Sequence, residues 1–249
     1  MEVNPFSLSG KTILVTGASS GIGRAIAVAC ANMGAKLIIT ARNKERLEET
    51  ISLMSGEGHR YISADLTKVD DIYSLVTELP KLDGVVSNAG VVKSIVALFS
   101  DYSETQEIFN TNVFSHINLI QQLLENKRLN KEASIVFTSS ISGVYCGAIG
   151  GSLYGATKSA INGYVKALAL ELAPRKIRVN TINPGMIETD IFANTSIPKE
   201  ELEEDKKKYP MKRYGRPDEV ANSVVYLLSD VTKWMTGTSL LLDGGYSVQ

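Results

Sequence analysis

Two residues that can exchange protons stand four positions apart in the segment SLYGATKSA, residues 152–160. The segment has a helical pattern, so Tyr154 and Lys158 share one face, about 6 Å apart along the axis. A phenol with a pKa near 10 is a poor acid or base at neutral pH. A cation about 4 Å away would stabilise its anion by up to about 4 kcal/mol at an effective dielectric near 20. We therefore expect Lys158 to lower the pKa of Tyr154 and make the phenol a usable general acid and base.

An isolated pair of this kind has a structural explanation too, a core tyrosine beside a solvated lysine, so other signals decide. In ILVTGASSGIGRAIA a predicted strand runs through Gly17, Gly21 and Gly23 into a helix. Glycines let the backbone approach a pyrophosphate, whose charge would lie on the first N–H groups of the helix. The spacing is G-x-x-x-G-x-G rather than G-x-G-x-x-G. A plain strand-to-helix turn would also use glycines, but beside the Tyr-Lys pair they favour a dinucleotide site.

The end of the second predicted strand, IITARN, distinguishes two nicotinamide cofactors. Sites for NAD usually place an acid here for the ribose hydroxyls, whereas a 2′-phosphate requires a cation. Ala41 and Arg42 occupy the position, and a guanidinium can bind phosphate through two hydrogen bonds. Arg42 alone could be a surface residue that begins the next helix. Together with the missing acid, it predicts NADP(H).

Short β-branched runs alternate with helical patterns along the chain. The predicted strands are KTILVT, AKLIIT, HRYIS, DGVVSN, ASIVFTS, IRVNTIN and SLLL, and the predicted helices cover 21–33, 43–54, 68–79, 102–125, 152–173 and 217–229. Strands that are apolar on both sides belong to a parallel sheet covered on both faces. The sequence thus predicts an α/β, doubly wound Rossmann fold with a seven-stranded parallel sheet and helices on both faces, as one NADP-binding domain over 1–249.

Charge and composition exclude several partner classes. The chain has 26 Lys and Arg against 27 Asp and Glu, a formal net charge of −1, so it has no basic field for nucleic acid or anionic lipid. No segment approaches the roughly 18 uninterrupted apolar residues of a membrane span, and the N-terminus lacks a signal-peptide pattern. The cysteines and histidines lack metal-ligand spacing. We expect a cytoplasmic protein with a small-molecule substrate and no metal, nucleic-acid or membrane partner.

One long irregular stretch covers 184–214 and contains EELEEDKKK. The charge run itself has the composition of a solvated helical face. Irregular stretches of this length are uncommon without a role, and this one follows the last large crossover. We expect a substrate lid at about 186–212.

Taken together, these motifs resemble those of the short-chain dehydrogenase/reductase family, from about residue 8 to residue 247. They occur in family order: TGASSGIG, ADL at 64–66, NAG at 88–90, NTNVF at 110–114, TSSISG at 138–143, YGATK at 154–158, VNTINPG at 179–185, GRPDEVANSVVYLLSD at 215–230 and DGG at 243–245. Each motif alone is weak, but their ordered set is specific. The resemblance implies an oxidoreductase with a nicotinamide cofactor.

The resemblance also implies which residues bind NADP(H). They are Gly17, Ser19, Ser20, Gly21, Ile22, Gly23, Arg42, Asp65, Leu66, Asn88, Ala89, Gly90, Tyr154, Lys158, Pro184, Gly185, Ile187 and Thr189. Asp65 would bind the adenine amino group, and Lys158 the nicotinamide ribose. Asn112 would distort its helix and position a water that joins Lys158 to bulk solvent. A helix-interior asparagine bonded to its own backbone is the structural alternative.

The catalytic residues that the resemblance implies are Asn112, Ser140, Tyr154 and Lys158. TSSIS offers three serines; the S-x-x-G motif selects Ser140 over Ser139 and Ser142, although strand alternation would point Ser140 and Ser142 the same way. The implied reaction transfers a hydride from the reduced nicotinamide to a carbonyl carbon. Tyr154 donates a proton to the oxygen and Ser140 hydrogen-bonds it, so that both stabilise the developing alkoxide.

The substrate stays open between two classes. The sequence, including INPGMIETD, is similar to the 3-oxoacyl-carrier-protein reductases, whose substrate is an acyl thioester. By alignment, Ser134 and Leu170 stand where those reductases carry arginines that bind the carrier protein, with nearby cations at Lys127, Arg128, Lys131 and Lys166. We therefore expect an NADPH-dependent reductase of a small or cyclic ketone, with the 3-oxoacyl-[acyl-carrier-protein] reductase as the alternative.

A third possibility is an inactive protein that only binds NADP, which the intact catalytic set argues against. The loop 144–152 and the predicted lid suggest a partly apolar pocket, formed by Tyr145, Cys146, Ile149, Met186, Ile187 and Phe192. Family members are usually tetramers joined through the helices at 102–125 and 152–173 and through the C-terminal strand. We expect a homotetramer, since INGYVKALALELA offers apolar residues for such contacts.

Overall fold

A computed structural model of the protein describes residues 4–189 and 198–249. In this part of the chain, seven strands form one sheet with the order β3-β2-β1-β4-β5-β6-β7, and every neighbouring pair is parallel. The strands are β1 Thr12–Thr16, β2 Lys36–Ala41, β3 Arg60–Ser63, β4 Leu82–Ser87, β5 Leu129–Thr138, β6 Arg178–Pro184 and β7 Ser239–Leu242. The predicted fold class is confirmed.

Helices cover both faces of this sheet. They are α1 Gly21–Asn32, α2 Lys44–Ser52, α3 Val69–Glu78, α4 Tyr102–Phe109, α5 Ser115–Glu125, α6 Ser152–Leu172, α7 Lys199–Lys206 and α8 Pro217–Leu228. One apolar core joins the sheet to α3, α5 and α6. A second core on the other face joins it to α1, α2 and α8. Both sides of the strands are therefore buried, which explains their continuous apolar runs.

The structure differs from the predicted elements in three places. A π-helical turn, Asn110–Phe114, divides the predicted helix 102–125 into α4 and α5. Strand β5 begins earlier than predicted, because Leu129 pairs with Leu82 ahead of a register shift in β4. The charge run forms α7, in which Lys206 pairs with Glu203 at 2.8 Å, as expected of a solvated helical face. Residues 190–197 of the predicted lid lie outside the described residues.

Strand order determines where a ligand can bind. The chain moves outward in one direction from β1 to β3 and then returns to place β4 on the other side of β1. A crevice opens at this switch point, at the carboxyl ends of the strands, which we call the carboxyl edge. None of the described helices combines the length and the apolar character that a membrane crossing requires.

Candidate active site

The glycine-rich turn joins β1 to α1 at the carboxyl edge. Gly17 has a φ of 65°, and a Cβ there would lie 2.8 Å from the Ala89 Cα. A Cβ on Gly23 would lie 2.2 Å from the Gly17 carbonyl oxygen. Because neither position has room for a side chain, these glycines pack the turn against the loop that follows β4.

The first turn of α1 is suited to an anion. Its N-cap, Ser20, makes no side-chain capping hydrogen bond, and the turn contains no acidic residue. The first N–H groups of a helix have no partner within the helix and lie at the positive end of its dipole. The predicted pyrophosphate site therefore has the donors and the field that a phosphate requires.

Thr16, the last residue of β1, joins the glycine turn to the NAG loop, residues 88–90. Its Oγ1 accepts hydrogen bonds from the N–H groups of Asn88 at 2.9 Å and Ala89 at 3.1 Å. The Asn88 side-chain amide donates to the Thr16 carbonyl oxygen at 3.2 Å. These bonds hold the two predicted cofactor loops in one arrangement. The sequence analysis assigned no such role to Thr16.

Arg42 and Asp65 lie near each other at the carboxyl edge, at the part that we call the adenosine end because the sequence predicts the adenosine of the cofactor there. Arg42 is exposed. Asp65 Oδ1 accepts hydrogen bonds from the Thr67 N–H at 3.1 Å and the Thr67 hydroxyl at 2.7 Å. Burial opposes ionisation of Asp65, but these bonds and the positive charges of Arg42 and Lys68 outweigh it and lower the pKa. An exposed cation thus stands beside a carboxylate that stays ionised.

Lys158 and Tyr154 lie on one face of α6, as the spacing predicts. Lys158 is only 5% exposed, and its Nζ donates to the Thr138 carbonyl oxygen at 2.9 Å. Burial lowers the pKa of Lys158 to about 8. The Nζ lies 5.6 Å from the centroid of the half-buried Tyr154 ring. The phenol and the ammonium are therefore neighbours within a largely desolvated site.

The expected effect of Lys158 on the pKa of Tyr154 is wrong in this structure. Burial raises the pKa of the Tyr154 phenol, and a hydrogen bond with the Ser140 side chain opposes this only in part. The reason is geometric: the ammonium is directed at the Thr138 carbonyl and lies beside the ring. The phenol therefore stays protonated at neutral pH.

Ser140 is the serine that the structure brings to the phenol. Its side chain acts on the Tyr154 phenol and lowers the pKa of that phenol, against the effect of burial. Its Oγ accepts from the Ser142 N–H at 3.1 Å. The argument from strand alternation does not apply, because β5 ends at Thr138, before all three serines. The S-x-x-G motif selects Ser140, and its proximity to Tyr154 supports the same residue.

Ser139 has a different environment. Its hydroxyl donates to the Lys158 carbonyl oxygen at 3.1 Å and accepts from the Asn162 side-chain amide at 2.6 Å. It is buried. Ser139 thus links the end of β5 to the helix that carries Lys158. Because its hydroxyl already donates and accepts a hydrogen bond there, we do not expect it to contact a substrate oxygen.

Asn112 is fully buried in the π-helical turn. Its side chain pairs with the backbone of Val91 in both directions, accepting from the N–H and donating to the carbonyl oxygen, each at 2.8 Å. Its Nδ2 also lies 3.2 Å from the Thr157 hydroxyl. The alternative of an asparagine bonded to its own backbone is therefore wrong. Asn112 joins the chain after the NAG loop to α6, next to Lys158.

A histidine that the sequence analysis left without a role lies beneath the NAG loop. His116 is buried, its Nε2 is 2.7 Å from the Ala89 carbonyl oxygen, and its Nδ1 hydrogen-bonds the Ser87 hydroxyl. Burial and the nearby charge of Lys158 lower its pKa to about 3, against a weaker opposing effect of the Ala89 bond. The one available signal was its position one helical turn after Asn112.

The segment after β6 returns to the glycine turn. β6 ends at Pro184, and the Gly185 N–H donates to the Leu242 carbonyl at 2.8 Å. The Thr189 methyl carbon lies 3.4 Å from where a Cβ on Gly21 would be. The Ile187 side chain is buried in the apolar core on the α8 side. The predicted cofactor residues on this segment are thus brought to the same crevice.

Two loops flank the catalytic cluster. The Ile95 N–H donates to the Gly150 carbonyl at 2.8 Å, which joins the loop after β4 to the loop before α6. Of the predicted pocket residues, Ile149 is 94% exposed and Met186 is 37% exposed. The Tyr145 hydroxyl is directed toward the Ser239 carbonyl at 3.5 Å. Phe192 lies outside the described residues.

One of the two positions that weighed against a carrier-protein partner lies inside the protein. Ser134 is buried in the middle of β5 and donates to the Leu227 carbonyl at 2.8 Å. Because this position is not at the surface, the missing arginine there is weak evidence about a docking partner. Leu170 is exposed on α6 and remains a surface position without a cation.

Comparison with known proteins gives one consistent family. The family described as enoyl-(acyl carrier protein) reductase matches residues 17–247. The chain is 35% identical to the 3-oxoacyl-[acyl-carrier-protein] reductase FabG of Aquifex aeolicus, covering 96% of this chain and 98% of that one. It is 32% identical to carbonyl reductase family member 4 of Danio rerio, over 93% of this chain and 96% of that one.

Solved structures agree. The Pseudomonas aeruginosa RhlG/NADP active-site complex superposes with a TM-score of 0.91 at 32% identity, covering 99% of this chain and all of that one. A Serratia marcescens short-chain dehydrogenase/reductase mutant gives a TM-score of 0.89 at 29% identity, over 98% of this chain. With its parallel sheet and its Ser140–Tyr154–Lys158 cluster, the chain belongs to the short-chain dehydrogenase/reductase family of oxidoreductases, which act on carbonyl and alcohol groups with a nicotinamide cofactor.

Proposed function

We propose that this protein reduces a ketone to a secondary alcohol with NADPH. One observation carries the proposal: the Ser140 side chain is close enough to a protonated Tyr154 phenol to act on its pKa, and the buried Lys158 ammonium lies beside the ring. Two hydroxyl donors that meet at one point are what a developing alkoxide requires. Ser140 lies just after β5, at the carboxyl edge where the family binds its cofactor.

The residues that would hold NADP(H) fit its charges. The uncapped first turn of α1 offers N–H groups to the pyrophosphate. Arg42, exposed beside Asp65, would pair with the 2′-phosphate, and Asp65 keeps one carboxylate oxygen beyond those bonds to Thr67 for the adenine amino group. The similar Pseudomonas aeruginosa RhlG structure is an NADP active-site complex. When bound, the cofactor supplies the hydride.

Tyr154 donates the proton that the reduced oxygen needs. A raised pKa keeps the phenol protonated at neutral pH, which is the state required at the start of a reduction. Oxidation of an alcohol would instead require the phenolate. We propose reduction as the physiological direction, as expected of a site for NADPH.

Ser140 and Lys158 orient this proton transfer. The Ser142 N–H donates to the Ser140 Oγ. The Ser140 hydroxyl would donate its proton to a bound substrate oxygen in place of the Tyr154 oxygen, whose pKa it lowers in this structure. The ammonium of Lys158 is held by the Thr138 carbonyl and has further N–H groups for a ribose hydroxyl. Asn112 anchors the backbone beside this group.

Turnover with a carbonyl panel tests the proposal. We expect oxidation of NADPH in the presence of at least one member of a panel of diketones, cyclic ketones and 3-oxoacyl thioesters. Tyr154→Phe should reduce kcat by about a hundredfold or more, because the proton donor is lost, while the NADPH dissociation constant changes less than about threefold. A Tyr154→Phe enzyme that retains most of its rate contradicts the assignment of the proton donor. Tight NADPH binding without any turnover would instead favour the inactive NADP-binding protein.

A 3-oxoacyl thioester is the second candidate substrate. Most of the similar relatives are named 3-oxoacyl-[acyl-carrier-protein] reductase, and the burial of Ser134 weakens one of the two objections to it. The panel decides between the classes, since a higher kcat/KM for the thioester than for every small ketone would establish the second candidate. The segment 186–212 is proposed as the lid over this substrate.

We also propose a homotetramer. Leu170 on α6, in a segment assigned to assembly, is 77% exposed, and Trp234, in the chain that leads into β7, is fully exposed. Large apolar side chains in such positions commonly mark subunit contacts. Mass photometry of the wild type and of Trp234→Glu tests this, with the variant expected to dissociate; a monomeric wild type contradicts it. The cytoplasmic location stays a prediction from the sequence.

A further inference from the structure

A buried serine–histidine pair lies beneath the NAG loop, on the side opposite Thr16. Ser87 is the last residue of β4, and His116 is in the first turn of α5. Ser87 hydrogen-bonds Nδ1 of the ring, and Nε2 lies 2.7 Å from the Ala89 carbonyl oxygen. The proposed reduction uses neither side chain. Their polarity therefore calls for a reason, because buried apolar residues would fill the same space without hydrogen-bonding requirements.

The contacts determine the protonation of the ring. A carbonyl oxygen can only accept, so Nε2 carries the hydrogen that bonds Ala89. The ring is neutral, because burial and the charge of Lys158 hold the pKa of His116 near 3. Nδ1 must then accept the Ser87 hydroxyl hydrogen. The hydrogen bonds run in one direction, from Ser87 through His116 to the Ala89 carbonyl.

This direction orients the next peptide group. The described peptide bonds are trans, so the carbonyl and N–H of one peptide point in opposite directions. With the Ala89 carbonyl directed at His116, the Gly90 N–H points away from α5. Gly90 is exposed, and its N–H makes no hydrogen bond to any described residue. A donor is thus presented on the open side of the loop.

That donor borders the catalytic cluster. A Cβ on Gly90 would lie 3.7 Å from the Lys158 Nζ and 3.3 Å from the Asn112 Oδ1. On its other side, the loop contacts the glycine turn, since a Cβ on Gly17 would lie 2.8 Å from the Ala89 Cα. The Ala89–Gly90 peptide therefore joins the pyrophosphate end of the site to the catalytic end.

We propose that Ser87 and His116 are positioning residues, which fix the Ala89–Gly90 peptide so that the Gly90 N–H is presented to the cofactor beside Lys158. The inference rests on the proposed NADPH-dependent function. If the pair only fills space, NADPH affinity should depend on the volume of residue 116. If the pair positions the peptide, NADPH affinity should depend on whether residue 116 has a nitrogen that can donate to the Ala89 carbonyl.

Two amide variants separate these roles. In His116→Gln the side-chain amide reaches the position of Nε2 and can donate to Ala89, whereas in His116→Asn it reaches only the position of Nδ1 and can serve Ser87 alone. We expect the NADPH dissociation constant of His116→Gln to stay within threefold of the wild type. His116→Asn and His116→Leu should weaken NADPH binding at least tenfold and raise KM for NADPH more than they lower kcat. Urea denaturation checks that all three variants fold.

The outcomes distinguish the two proposals. If Gln and Asn have equal effects on NADPH affinity, or if only kcat changes, the positioning role is overturned while the reductase stands. A wild-type protein that binds neither NADPH nor NADH overturns the proposed function, and the cofactor role of the pair with it.

A spectroscopic measurement tests the hydrogen-bond direction without any cofactor. The chain has only two histidines, so imidazole nitrogen resonances can be assigned in histidine-labelled protein with the variant His59→Gln. His59 accepts the Leu37 N–H at Nδ1 and lies 2.9 Å from the Ser55 carbonyl at Nε2, which makes it an internal reference for the same tautomer. We expect His116 to show a protonated Nε2 and a bare Nδ1 from pH 6 to pH 8. The other tautomer, or an imidazolium, overturns the inference.

Discussion

The adenosine end and the catalytic end of the site are built differently. At the adenosine end, Arg42 is exposed, and the carboxylate of Asp65 is held by Thr67, two residues further along the chain. At the catalytic end, Asn112 and Lys158 are buried, and their bonds reach Val91 and Thr138, which belong to other elements. The arrangement of the adenosine end therefore depends on local contacts, whereas that of the catalytic end depends on the packing of the whole sheet.

Because of this difference, we expect cofactor selectivity and folding stability to depend on different parts of the site. An exposed side chain with local contacts can be replaced without disturbing the core, so the cofactor preference is adjustable at little cost in folding free energy. A buried polar group affects both catalysis and folding when it is changed. The buried ammonium of Lys158 is the extreme case, since the lowered pKa shows that its charged form is destabilised by the fold.

Lys158→Met should have the largest effect and affect activity and stability in opposite directions. We expect kcat/KM to fall by about a hundredfold to a thousandfold, since a charge beside the reacting groups is lost. The folded pKa of about 8 is below the unfolded value, so the protonated lysine opposes folding at neutral pH. The free energy of unfolding should therefore rise by about 1–3 kcal/mol.

Steady-state kinetics and urea denaturation measure these two effects. Lys166→Met, on the exposed side of the same helix, is the matched control and should change neither quantity by much. A Lys158→Met protein that is less stable than the wild type would contradict this prediction, because the buried charge would then favour folding.

The second prediction concerns acid. The folded pKa of His116, about 3, lies below its ordinary value of 6.5. Its neutral form therefore stabilises the protein fully above pH 6.5, and this contribution is lost as the pH falls toward 3. We expect a loss of about 3–5 kcal/mol over that range. The wild type minus His116→Gln difference in unfolding free energy, measured in urea from pH 7 to pH 4, isolates this contribution from the carboxylates; a constant difference contradicts it.

Asn112→Ala should destabilise the protein by about 2–3 kcal/mol, because the half-buried Val91 N–H and carbonyl lose the partners that the buried Asn112 side chain supplies. Asn110→Ala, at an exposed position of the same π-helical turn, should change stability by less than about 0.5 kcal/mol. Urea denaturation of the two variants makes the comparison. Equal effects would show that the turn itself, rather than the Asn112 side chain, supports the site.

The smallest effect is expected at the adenosine end. Arg42→Ala should weaken NADPH binding about tenfold and leave NADH binding nearly unchanged, since only the 2′-phosphate loses its partner. Stability should stay within about 0.5 kcal/mol of the wild type. Arg46→Ala, exposed on α2, is the control. Titration of both cofactors by fluorescence measures the change, and equal affinity of the wild type for NADPH and NADH would refute the assignment of cofactor preference.

Local patterns predicted much of the fold and of the candidate site. The strands were identifiable because burial on both faces leaves continuous apolar runs, and Tyr154 and Lys158 share a face because helical spacing alone requires it. The asparagine expected to distort its helix lies in the π-helical turn. The choice of Ser140 came from a motif, and its contact with Tyr154 agrees with that choice.

The order of elements, the family motifs and the residue types at the carboxyl edge could therefore be predicted from the residues alone. The direction of the Tyr154 pKa shift, the burial of Ser134 and the partners of His116 depend on the folded arrangement. These depend on which groups from distant parts of the chain remove water from one another. Desolvation and hydrogen-bond direction arise from packing, and no local spacing encodes them.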